Sequence, residues 1–162
     1  MIQATEVGLI SFRNEWQKAS ISILYTHGFL RNSQERFFKT FGLTDQQYHV
    51  LRLLREQFPK PVSTFFLRAK MLDRMSDISR LVDRLEGKGL VESTRCTGDK
   101  RLVNVLISDK GQEVLGVIDR DLNQLDAMMG GLIEEEARQL VELLCKARQS
   151  LKTMNERLSA TE

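Results

Sequence analysis

Cysteine and proline are both scarce in this 162-residue chain, two of each, and the scarcity excludes several kinds of protein. Cys96 and Cys145 lie far apart, with no second pair and no histidine cluster at metal-ligand spacing. That rules against a disulfide scaffold or a structural metal site and reads as two thiols in a reducing compartment. No apolar run approaches the roughly 18 to 20 residues that span a bilayer. The N-terminal MIQATEVGLISFRNEW lacks a basic stretch followed by an uninterrupted apolar core, so a cytoplasmic protein is expected. An excess of one charge is missing too: 24 basic and 22 acidic side chains leave a net +2. Any basic patch must therefore come from arrangement. HExxH, a glycine-rich phosphate loop and a GxSxG elbow are all absent, and the two histidines and two cysteines do not form a catalytic set, so neither an enzyme nor a bound cofactor or metal is expected.

With both prolines confined to FPKPV (Pro59 and Pro61), the rest of the chain is free to be helical, and that pair marks a junction. Upstream, Phe12, Trp16, Ala19, Ile23, His27 and Leu30 recur at steps of three and four, which predicts one long amphipathic helix. Thr44 is placed to cap a second, TDQQYHVLRLLREQF, with Tyr48, Leu51, Leu54 and Phe58 on one face. Beyond the prolines two short helical segments, STFFLRAKM and SDISRLVDRLEGKGLV, meet at a tight turn. In the second, Ile78, Leu81, Val82 and Leu85 follow the i, i+3, i+4, i+7 pattern, Ser76 is the candidate N-cap, and Gly87 or Gly89 the stop. After Gly89 the period changes to two. Leu90 to Arg95 and Leu102 to Ile107 read as strands of a hairpin with Val103, Val105 and Ile107 on one face. A helix carrying Val114, Ile118, Leu122, Leu125 and Met129 should run to Gly130, and a last one carries Ile133, Ala137, Leu140, Leu144, Ala147, Leu151, Met154 and Leu158 at alternating steps of four and three, a coiled-coil-like seam.

Two short helices around a tight turn followed at once by a hairpin describe a winged helix-turn-helix, mainly α with a small β-hairpin wing. An α-helix fits the major groove of B-DNA, and a hairpin tip reaches the neighbouring minor groove. The positions of the second helix outside its apolar stripe, Asp77, Ser79, Arg80, Asp83 and Arg84, offer hydroxyl and guanidinium donors. An arginine there addresses either guanine O6 and N7 or a phosphate. Between Asp73 and Arg101 seven basic side chains face six acidic ones, so attraction to DNA has to come from geometry and from two copies of the motif.

The run DRMSDISRLVDRLEGKGLV followed by DKRLVNVLISDKG resembles the core signature of the MarR family of bacterial transcription regulators. The likeness is sharpest from Asp73 to Gly111 and extends through the flanking helices, while Phe65 and Phe66 depart from the family's usual pattern. The resemblance implies one domain over residues 1–162: dimerisation helices in 1–42 and 109–162, and a DNA-binding lobe in 43–108. It implies that Arg101 enters the minor groove with Asp99 holding it and Lys100 beside it. It also implies a homodimer on double-stranded DNA with an imperfect inverted repeat, acting as a repressor released by a small aromatic or phenolic effector. Candidate DNA-binding residues are thus Ser76, Asp77, Ser79, Arg80, Arg84, Asp99, Lys100 and Arg101; candidate dimerisation residues are Trp16, Ile23, Leu140, Leu144, Leu151 and Leu158.

Blander readings stand beside these. The turn at Gly98 to Arg101 is also an ordinary solvated turn, and Arg80 and Arg84 could merely pair with Asp77 and Asp83. His27 reads as a satisfied interior histidine, with an effector-binding role as its alternative. Cys96 reads as a passive thiol and Cys145 as a small buried hydrophobe. The alternative function is a winged-helix module that docks protein without binding DNA, a surface that would not require the wing arginine.

Overall fold

The structure, a computed structural model, describes Gly8 and residues 11–72, 77–95 and 103–160. It divides into two compact units, Met1–Leu122 and Asn123–Glu162, taken here one at a time.

In the first unit α1 (Glu15–Lys39) starts where the Asn14 side chain accepts the Gln17 N–H at 2.9 Å. Its C-terminal end is its only deeply buried part: Phe37 and Phe38 are covered, and Phe38 stacks on Tyr48 with ring centroids 4.3 Å apart. Gly42, at φ +69°, turns the chain into α2 (Asp45–Gln57). That helix is capped as expected: Thr44 Oγ1 accepts from the Gln47 N–H, and Gln47 Oε1 accepts from the Thr44 N–H, each at 3.2 Å. Val50, Leu51 and Leu54 form the centre of the core. Phe58 lies beyond the helix and is half exposed, so the expected apolar face ends at Leu54.

The sheet corrects the expectation of a two-stranded hairpin. It has three antiparallel strands in the order β1 (Val62–Ser63), β3 (Val103–Ile107), β2 (Val91–Arg95), with Val105 opposite both Val62 and Ser93. Two residues carry no readable period, so β1 exists because β3 offers it a free edge. Val105 and Ile107 point inward and are buried, as their alternation requires.

Between β1 and β2 lie α3 (Thr64–Lys70) and α4 (Ile78–Gly87). Gly89, at φ +71°, ends the second of these in the left-handed region, while Gly87 remains helical. After β3, Ser108 caps α5 (Asp109–Asp119) by accepting from the Gly111 N–H. A bidentate pair ties α2 to α5: Arg55 Nη1 and Nη2 lie 2.6 and 3.2 Å from the Asp119 carboxylate oxygens. The hydrogen bond to Asp119 is the largest cause of a raised Arg55 pKa.

The helix expected to run on to Gly130 instead stops at Asp119. There the Arg120 and Asp121 N–H groups donate to the Val117 and Ile118 carbonyls at 3.3 and 2.9 Å, so the last turn tightens to i→i+3 bonds and the chain leaves the helix. The second unit consists of α6 (Asn123–Ala127) and α7 (Glu134–Ser159). At the start of the latter, Glu136 Oε2 accepts from the Ile133 N–H at 3.0 Å, and Glu134, Glu135 and Glu136 suit the positive end of the helix. Among the described residues no helix is long and apolar enough to cross a membrane.

Candidate nucleic-acid interface

The apolar stripe of α4 is its anchor. Ile78, Leu81, Val82 and Leu85 are all buried, which leaves Ser79, Arg80, Asp83 and Arg84 on the opposite, exposed face. The helix begins one residue later than the sequence suggests: Asp77, not Ser76, is its N-cap, with Oδ1 accepting the Arg80 N–H at 3.2 Å. Serine and aspartate cap about equally well, so residue type could not choose between neighbours. The same carboxylate pairs with Arg80, Oδ2 lying 3.2 Å from Nε, which is one of the two ion pairs weighed from sequence.

The C-terminal end of α4 is held from several sides. Lys88 Nζ donates to the Gly42 carbonyl at 2.6 Å and to Gln47 Oε1 at 3.3 Å. Glu86 Oε1 accepts from the Ser93 N–H at 3.0 Å and from its hydroxyl at 2.6 Å. Lys110 Nζ donates to the Lys88 carbonyl at 2.8 Å, and Ser108 Oγ to that of Gly89 at 2.7 Å. The helix is therefore fixed to the α1–α2 corner and to the sheet, while at its N-terminal end Asp77, Ser79 and Arg80 are exposed among the described residues. Lys88 and Gln47 were missed from sequence because they meet across 41 positions of the chain, and Glu86 because its partner Ser93 is on the following strand. Gln47 is 3% exposed, the only buried polar side chain among the described residues. Gln46, also missed, lines an open cleft of about 200 Å³ with Asp77, Arg80 and Arg84.

β2 and β3 stay in register up to Arg95 opposite Val103. Residues 96–102 connect them, so Cys96, Asp99, Lys100 and Arg101, like Ser76, lie outside the described residues. A second cleft, of about 630 Å³, is lined by His27, Leu30, Arg31 and Gln34 of α1, by Asp45 and Gln46 of α2, and by Leu72. His27 is exposed rather than interior, on the rim of this cleft. Cys145 is also exposed, correcting the expectation of a buried thiol. It follows Leu144 by one residue, and the helix turn of about 100° carries it off the seam, beside Arg148 Nη2 at 2.9 Å.

Of the residues expected to pair two chains, Trp16 is 82% exposed, and Ile23, Leu151 and Leu158 are exposed as well; Leu140 and Leu144 are half-buried. Val141 and Leu143 widen the apolar surface of α7 beyond the seam.

A model of the MarR family matches residues 43–103. A MarR transcription factor from Planctomyces limnophilus is similar at 31% sequence identity, over 82% of this chain and 97% of that one, with a TM-score of 0.66. The S. aureus MepR–DNA complex is similar at 19% identity over 86% of this chain and 99% of that one, with a TM-score of 0.67. Bordetella bronchiseptica BpsR, whose structure concerns regulation of its DNA binding by 6-hydroxynicotinic acid, is similar at 20% identity, over 78% and 98%, with a TM-score of 0.66. At those identities the last two likenesses are of fold alone.

Proposed function

This chain belongs to the MarR family, and we propose from that premise that it is a DNA-binding transcription regulator whose α4 lies in the major groove. The observation that carries the reading is the division of α4 into four buried apolar residues and an exposed polar face, with the other end of the helix tied to the sheet. The DNA-facing set is Ser76, Asp77, Ser79, Arg80 and Arg84 on or before α4, with Asp99, Lys100 and Arg101 in the segment between β2 and β3. In the S. aureus MepR relative the same fold is seen with DNA.

Residues 43–108 form the DNA-binding lobe, and the helices in 1–42 and 109–162 pair two chains through Trp16, Ile23, Leu140, Leu144, Leu151 and Leu158. The partner DNA is a duplex with an imperfect inverted repeat, reached in the cytoplasm, and the role is repression by occupying a promoter, without catalysis. A small aromatic or phenolic effector releases it, and the 630 Å³ cleft beside His27 is its place. BpsR, with 6-hydroxynicotinic acid, supplies a relative regulated in this way.

Selection of bound sequences from a random pool of duplexes tests the reading. Enrichment of an inverted repeat supports it; recovery of no preferred sequence, with weak binding throughout, returns the fold to a protein-docking role.

A further inference from the structure

A guanidinium in the major groove can clamp a phosphate or fork onto guanine O6 and N7, and residue type does not choose between them. The surroundings of Arg80 do choose. Asp77 gives both carboxylate oxygens to this one residue: Oδ1 accepts its backbone N–H at 3.2 Å, and Oδ2 lies 3.2 Å from Nε. The first bond is the cap of α4, so the carboxylate cannot swing away without uncapping the helix. With Nε engaged on that side, the two terminal nitrogens remain to meet a ligand.

We propose that Asp77 is a positioning residue that makes Arg80 a reader of guanine instead of a phosphate clamp. A phosphate drawn to this guanidinium would bring its charge close to the Asp77 carboxylate, and the two would repel. A guanine edge is neutral and offers two acceptors to the open fork. Stability does not explain the pair, because its side chains are 78% and 55% exposed and such ion pairs contribute little to folding. Nor does general attraction to DNA, which an acid at the open end of the helix weakens. The cap calls for an acceptor and not for a charge, since Asn and Ser cap as well; what the charge of the carboxylate adds is discrimination. Arg84, one turn on, has no ion pair among the described residues, so it is the phosphate contact of the same helix.

The inference rests on the placement of α4 in the groove, and its test separates the two. Asp77→Asn keeps a capping oxygen while removing the charge, and Asp77→Ser is a second capping variant should the first fold poorly. Each is titrated with the selected duplex, with duplexes altered at each guanine of a half-site, and with an unrelated duplex, over a range of salt. Discrimination at one guanine is expected to fall about tenfold. Binding to the unrelated duplex should strengthen, and its salt dependence should steepen by about 1.8 in log–log slope, the value of one added phosphate contact from each chain of the dimer. Arg80→Ala is measured alongside. If it loses discrimination while both Asp77 variants keep it, Asp77 has no positioning role. If it lowers the salt slope and leaves discrimination intact, Arg80 is a phosphate clamp. Should Arg80→Ala change neither, the placement of α4 itself is wrong.

Discussion

Gly111 sits where only a hydrogen fits: a Cβ there would lie 2.2 Å from the Leu90 carbonyl oxygen and 2.8 Å from Ile107 Cγ1. The first turn of α5 crosses the start of β2 at this point, and the near neighbour is backbone, which cannot rotate aside. Gly111→Ala should therefore destabilise by about 1 to 3 kcal/mol, the cost of overpacking, read as a lower midpoint in urea unfolding with the slope unchanged. At the wing the expectation is the reverse, a loss of binding without a loss of stability. Arg101→Ala should weaken operator binding by about 1 to 3 kcal/mol with the same melting temperature, and Asp99→Ala should act in the same direction but less. Unaltered operator affinity in Arg101→Ala would return that turn to an ordinary solvated one. Sequence suffices for some residues and not for others, for a physical reason. The four apolar residues of α4 declare themselves through their spacing. The need for glycine at 111, or the link from Lys88 to Gly42, depends on a neighbour that the chain brings back from a distance.

At the scale of elements, α4 is a rod anchored at its C-terminal end and along its inner face, and this rigidity is what a groove reader requires. Holding the helix by Glu86, Lys88 and the buried stripe leaves little conformational freedom to lose on binding DNA. Arg84→Ala should then reduce the log–log salt slope of binding by about 1.8 while leaving sequence discrimination in place, as for one lost phosphate contact from each chain of the dimer. A change in discrimination with an unaltered slope would exchange the roles given to Arg84 and Arg80. The elements read well where they were long and periodic: α2, α4, α7 and the paired strands appear where the pattern put them, whereas α1 begins after Phe12 and runs on to Lys39, beyond the stripe that ended at Leu30. β1 was missed because two residues after Pro61 have no alternation to show, and the break after α5 because Val114, Ile118, Leu122 and Leu125 keep their spacing across it. Apolar period reports what would face a core if a helix formed. It does not report where the last turn closes on i→i+3 bonds, as it does here at Arg120 and Asp121.

On the scale of the whole molecule, the near-balance of charge makes one copy of the motif a weak binder, and two copies are the remedy. The exposed apolar residues of α1 and α7, each in its own unit, exceed what scattered surface hydrophobes explain and call for a second chain. Replacing Leu144 and Leu151 together by glutamate should abolish the dimer and high-affinity operator binding in parallel; a monomeric variant that binds the full site as tightly would separate the two. A two-fold dimer presents its recognition helices with the same symmetry, so the half-site centres should lie about one helical turn, roughly 10 to 10.5 base pairs, apart. The central claim is that a symmetric pair of these chains reads one symmetric site. Sedimentation equilibrium of the wild-type protein, alone and with a duplex carrying one selected inverted repeat, measures it directly. The account predicts a dimer in solution and two chains on each duplex. A monomer alone, or one chain filling the whole site, would contradict it.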